Sequence, residues 1–110
     1  NVIFCHNDAM AYGAFVALQK AGVAGEFLIM GVDGMAGHNG GISKVKEQIM
    51  AATIAVPPLA KPAAEVIMAL VNGEAVPQMK EKAPELVTIA NASEMYRRHI
   101  DRPFGRESSE

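Results

Sequence analysis

The sequence predicts an α/β fold on a parallel sheet, and three observations carry that prediction. Four short apolar runs alternate with segments of helical spacing, in the order β-α-β-α-β-α-β. The runs are rich in Ala, Val, Ile, Leu and Met, a composition that suits strands buried between helices. The segment between the first two runs is one helix long, which fits a right-handed crossover to a parallel neighbour.

Asn1-Val2-Ile3-Phe4-Cys5 is the first run. Asp8 to about Lys20 is predicted helical. Asn7 or Asp8 can accept a hydrogen bond from the first-turn amides, and Met10, Ala14, Ala17, Leu18 and Ala21 fall on one apolar stripe. Ala11, Gly13 and Ala14 are small enough to let the helix lie close to a sheet, and Gly22 is placed to end it. Phe27 to Val32 is the second strand. After Asp33-Gly34, the stretch Met35 to Gly41 is too rich in glycine to continue a regular element. No lysine follows those glycines as a phosphate-binding loop would require, and His38 reads as a solvated loop residue.

Ile42 to Ile49 gives a short amphipathic helix with Ile42, Val45 and Ile49 on one face and Lys44, Lys46, Glu47 and Gln48 on the other. Ala51 to Val56 is the third strand, stopped by Pro57-Pro58, which cannot extend a central strand. Leu59 to Asn72 is a helix that tolerates Pro62 near its first turn and buries Ala63, Val66, Ile67, Leu70 and Val71; Asn72-Gly73 ends it. A charged connection from Ala75 to Pro84 leads to a fourth strand, Leu86 to Ile89. Asn91-Ala92-Ser93-Glu94 has the form of a capping box for a brief helix through Arg98, and the polar Asp101 to Glu110 reads as a disordered tail.

The 110 residues suffice for one domain of ordinary size. With two Tyr, four Phe and no Trp, the core must be aliphatic. No run of about 18 apolar residues occurs, so no membrane span is predicted. A net charge of −2 argues against a large nucleic-acid surface, and no nucleic-acid partner is expected. The chain enters a strand at Asn1 with no lead-in and no basic-then-apolar leader, which reads as a piece of a longer protein. Cys5 is the single cysteine, so no intramolecular disulfide can form. Cys5-His6 could be a nucleophile with its base or a metal-ligand pair. Adjacent strand residues point to opposite faces, however, and no third ligand or orienting acid is suitably spaced. A buried structural cysteine, with no metal and no cofactor, is the better reading. No paired carboxylates or nucleophile-base-acid set can be assembled, so no enzyme is expected.

The functional signal is a pair of polar groups. Asn7 follows the first strand and Asp33 follows the second, so parallel pairing brings both to the carboxyl edge of the sheet, where ligands bind in open α/β folds. An amide offers both donor and acceptor, and a carboxylate can accept from two vicinal hydroxyls.

Four stretches then follow in order: Val2-Ile3-Phe4-Cys5-His6-Asn7-Asp8-Ala9-Met10-Ala11-Tyr12-Gly13-Ala14, Ile29-Met30-Gly31-Val32-Asp33-Gly34, Met50-Ala51-Ala52-Thr53-Ile54-Ala55 and Val71-Asn72-Gly73-Glu74-Ala75-Val76-Pro77. From Asn1 to about Ile89 the chain resembles the C-terminal part of a ribose-type periplasmic sugar-binding protein, the solute-binding component of a bacterial ABC importer. The resemblance implies two Rossmann-like lobes of the type I binding-protein fold closing on a monosaccharide or small polyol. It implies that residues 1–56 supply half of the C-terminal lobe's sheet. Residues 57–85 would make a hinge crossing and a helix of the N-terminal lobe, and 86–100 a returning strand with a short helix. It implies Asn7 and Asp33 as sugar ligands, with His6, Met35 and Val56 as further contact candidates. The implied partners are the sugar, the importer's membrane permease and the N-terminal lobe lying upstream of Asn1; the implied location is the periplasm.

The chain departs from the ribose pattern at Val56-Pro57, where a glutamine is expected after the third strand, and in a longer Met35 to Gly41 loop. The alternative is the effector-binding core of a lactose-repressor-type transcription regulator, which shares the Asn-Asp-x-Met-Ala-x-Gly-Ala pattern. Those regulators more often carry Asp-Asp where this chain has Asp33-Gly34.

Overall fold

The computed structural model describes residues 1–76, 78 and 82–100. The charged connection lies partly outside these, and the tail expected to be disordered lies wholly outside them. The elements are β1 (Val2–Phe4), α1 (Asp8–Lys20), β2 (Leu28–Asp33), α2 (Gly41–Lys46), β3 (Ala52–Ala55), α3 (Ala60–Asn72), β4 (Glu85–Thr88) and α4 (Ala92–Ile100). A 3₁₀ turn at Ala24–Glu26 occupies the short connection before β2. The strands form one sheet in the order β1-β2-β3-β4.

β1, β2 and β3 run parallel, but β4 pairs antiparallel with β3, matching Ala52 to Thr88 and Ala55 to Glu85. The element order alone had implied a wholly parallel sheet. The connection through α3 does not bring the chain back to the starting edge of β3. It delivers β4 from the far end, so the strand returns in the opposite sense.

α1, α2 and α4 cover one face of the sheet. Ala11, Ile29, Ile42, Val45, Met50, Ala55, Val87, Ala92 and Met95 form the core there. The stripe expected on α1 is rotated: Met10 is exposed, while Asp8 and Ala11 are buried and Phe15 and Leu18 pack against the core. Asp8 turns inward, and positions 8, 11, 15 and 18 follow it at helical spacing. Counting only apolar residues therefore gave the wrong phase. Both glycine stops hold. Val23 N–H donates to the Leu18 carbonyl beyond Gly22, and Glu74 N–H to the Ala69 carbonyl beyond Gly73, closing each helix around a left-handed glycine.

Two further expectations are corrected. α2 ends three residues early, and Lys44 is buried rather than solvated; its Nζ bonds Glu47 at 3.1 Å and lies 5.0 Å from the Tyr12 ring centre. The capping box before α4 does not form. Asn91 turns back to β4, accepting from Thr88 N–H and donating to the Leu86 carbonyl, while Glu94 pairs with Arg98. The apolar stripe of α3 has no cover within this chain, as expected if another lobe is its partner: of α3 only Ala69 is buried, and Ile67, Leu70 and Val71 stay open to solvent.

The second face of the sheet is also uncovered. Val2, Phe4, Leu28, Met30, Val32, Ile54 and Leu86 share it by register and alternation, and Val2, Phe4, Leu28 and Leu86 are 55–64% exposed. Covering a side chain of this size contributes about 1.5–3 kcal/mol, so two open apolar faces are a heavy loss for a chain this small. The 110-residue chain by itself is therefore expected to self-associate and to bind a hydrophobic dye in sedimentation and fluorescence measurements. A sharp, concentration-independent thermal transition from a monomer would contradict this.

Candidate ligand-binding edge

The register of β1 on β2 pairs each residue with the one 26 later, Val2 with Leu28 and Phe4 with Met30. Past the end of β1 the chain bends into α1, so Asn7 lies just beyond the carboxyl end of β1 while Asp33 is the last residue of β2. The two strand ends are tied by a side-chain bond, in which Gly34 N–H donates to Asp8 Oδ2 at 2.9 Å. Asn7 and Asp33 thus share the carboxyl edge of neighbouring parallel strands.

Asn7 caps α1. Its Oδ1 accepts from Met10 N–H at 2.8 Å, leaving Nδ2 with no partner among the described residues. The helix-cap reading of Asn7 is correct, and it uses only one end of the amide. Asp33 is exposed, and its carboxylate has no hydrogen-bond or ion-pair partner among the described residues. Its backbone sits at φ 113°, a region that side-chain-bearing residues rarely adopt. A turn-forming aspartate would fold its carboxylate onto nearby amides. Asp33 does not.

The secondary candidates spread along the same edge. Met35 and Val56 are exposed, and Val56 N–H donates to the Asp33 carbonyl at 3.0 Å. His6 is exposed, its ring 6.4 Å from that of Phe4. Cys5 is half-buried against the core, a free thiol with a packing role. His38 lies elsewhere. With Ser43, Lys46, Glu47 and Tyr96 it lines a shallow cavity of about 260 Å³ that includes neither Asn7 nor Asp33.

Sequence reasoning missed Asp8 and Thr53. Asp8 is buried at the first position of α1 and accepts from Thr53 Oγ1 at 2.6 Å, from Gly34 N–H and from the Gly41 amide. A Cβ on Gly31 or Gly41 would strike its carboxylate, so both glycines are required by close approach. Gly34, at φ 60°, has Ala55 where its Cβ would be. The signal was present: a lone Thr in the apolar run Ala51 to Val56, and an Asp followed by small residues.

Burial pushes the Asp8 carboxyl above its ordinary value of 3.8; the bonds from Thr53, Gly34 and Gly41 oppose the rise, and the charge of Asp33 adds to it. The folded state therefore holds its proton to higher pH than the unfolded chain. The stabilising contribution is full below 3.8 and is lost as pH rises through the folded value. In a folded protein carrying this segment, the stability difference between the parent and Asp8→Asn, which cannot ionise, should move against the parent over that rise. Denaturant titrations across a pH series will read it, and a difference that moves in the parent's favour with pH would contradict the assignment.

No family model matches the sequence, and comparison with curated proteins finds no match. Solved structures do match. The fructose-binding periplasmic domain of a hybrid two-component system superposes with a TM-score of 0.83 at 24% identity, over 92% of this chain and 34% of that one. A periplasmic solute-binding protein of an ABC transporter from Actinobacillus succinogenes 130z, with bound D-allose, gives 0.69 at 32% identity over 86% and 32%. The chain has the α/β fold of type I periplasmic binding proteins. The myo-inositol-binding protein of Caulobacter, bound to myo-inositol, gives 0.69 at 26% identity over 93% and 34%. The chain spans about a third of the length of each of these type I structures.

Proposed function

We propose that this segment supplies one wall of a sugar-binding cleft in a two-lobed periplasmic receptor serving an ABC importer. The observation that carries the reading is the pair Asn7 and Asp33 at the carboxyl edge: among the described residues the amide nitrogen of one and the carboxylate of the other have no partner, and Asp33 sits on a strained backbone. Backbone strain of this kind is held where a site needs it. Asn7 donates to a sugar oxygen through Nδ2 while Oδ1 caps α1. Asp33 accepts from two vicinal hydroxyls. Val56 and Met35 supply apolar surface for ring carbons, with His6 at the rim. The ligand class is a monosaccharide or small polyol, in keeping with the allose- and inositol-bound structures of the same fold.

The remaining assignments extend the same reading. Residues 57–85 form the hinge crossing and a helix of the other lobe, whose surface covers the apolar stripe of α3, and 86–100 return to the first. The partners are the importer's membrane permease and that N-terminal lobe; the location is the periplasm. The chemistry is binding without turnover. The matched solute-binding structures lend no support to the alternative of a lactose-repressor-type effector core.

Calorimetry on the two-lobed protein against pentoses, hexoses and polyols, including D-allose and myo-inositol, should find one tight ligand. A blank across that panel, with an amino acid or purine binding instead, would overturn the reading. Asp33→Ala should lose about 3–5 kcal/mol of binding, over a hundredfold, since two hydrogen bonds to a charged group contribute about 1.5–3 kcal/mol each. His38→Ala, away from the edge, should bind as the parent does. Binding by Asp33→Ala within a few-fold of the parent would reduce Asp33 to a turn residue.

A further inference from the structure

We propose that Asp8 is the positioning residue of this edge: it holds the peptide between Asp33 and Gly34 in the orientation that aims the Asp33 carboxylate outward. The inference rests on the sugar-cleft reading for its purpose, but its geometry stands independently. That peptide is pinned from both ends. Its carbonyl, on Asp33, accepts from Val56 N–H at 3.0 Å, and its N–H, on Gly34, donates to Asp8 Oδ2 at 2.9 Å. With both ends fixed, the strained φ of 113° at Asp33 has a cause. The chain cannot relax to an extended strand end without breaking a buried bond, and breaking it would strand a donor away from water.

The carboxylate that does this is itself locked. Thr53 Oγ1, fully buried, donates to Asp8 Oδ1 at 2.6 Å and sets the rotation of the group. The Gly41 amide supplies a third donor, and Gly31 and Gly41 leave only the space the carboxylate fills. Thr53, Asp8, Gly34 and Asp33 are therefore one chain of contacts from the centre of β3 to the ligand edge. Asp8 is buried behind that edge and acts on a ligand only through Asp33.

The test separates this role from plain structural support. In the two-lobed protein, Asp33 should show the small amide-to-Hα coupling of a positive φ, and Gly34 N–H should be protected from exchange. Asp8→Ala should return the Asp33 coupling to the large value of an extended strand. It should also weaken binding of the tightest sugar in the pentose, hexose and polyol panel about ten- to a hundredfold, the range seen when outer-shell hydrogen bonds are removed at metal sites. Asp8→Asn keeps an oxygen for Gly34 N–H, and the Thr53 hydroxyl can turn to accept from the new amide, so both readouts should be largely rescued.

Should Asp8→Ala not fold, Thr53→Val keeps the side-chain shape and frees the carboxylate to rotate. It should shift both readouts in the same direction by a smaller amount. An Asp33 coupling unchanged in whichever of these two variants folds would overturn the positioning role, whatever the sugar results. A parent that binds no sugar of the panel, yet loses the Asp33 coupling in Asp8→Ala or Thr53→Val, would overturn the cleft reading and leave the positioning role standing.

Discussion

The structure depends on one buried carboxylate. Asp8 collects donors from three separate elements: Thr53 on β3, Gly34 just past β2 and Gly41 at the start of α2. Each donor would otherwise be closed off from water without a partner, and Asp8 would carry a buried charge with nothing to offset it. The arrangement fixes the phase of α1, because a helix that turns its first residue inward must also turn in Ala11, Phe15 and Leu18. It also lets the start of α1 lie close to β2 and α2, since Gly31 and Gly41 are small where the carboxylate lies. Fold and candidate site therefore share one hydrogen-bond network.

That sharing accounts for the distribution of order and exposure. The face that carries Asp8 is packed by three helices, with Ile42, Val45, Met50, Val87 and Met95 deeply buried. The opposite face and the outer side of α3 present large apolar side chains to solvent. Such faces are built to be covered, and the chain spans about a third of the length of its structural relatives. The carboxyl edge belongs to the packed half. It is held rigidly even where the rest of the surface awaits a partner.

Much of this was legible in the residues. The order of elements, the βαβ unit, both glycine helix stops and the placement of Asn7 and Asp33 at one edge all follow from apolar runs and turn residues. What escaped shares a physical cause. The inward turn of Asp8, the burial of Lys44 beside Glu47 and Tyr12, and the turn of Asn91 back onto β4 each satisfy a polar residue through particular partners, where a pattern of hydrophobicity registers nothing. The direction of β4 escaped for a related reason. A strand's sense depends on where its connection crosses, and four apolar residues read the same in either direction. The stripe of α3 shows the limit of spacing alone: it reports that a face wants cover, not whether this chain provides it.

The central claim is that Asn7 and Asp33 touch one ligand together, with Asn7 still capping its helix. Nuclear magnetic resonance of the two-lobed protein, with the Asn7 side-chain amide and the Asp33 carboxylate resolved, tests it during a titration with D-allose, myo-inositol or whichever panel sugar binds. The account predicts that both signals shift along a single saturation curve while the Met10 amide, bonded to Asn7 Oδ1, stays in place. Saturable sugar binding that leaves the Asn7 amide and the Asp33 carboxylate unmoved would contradict it.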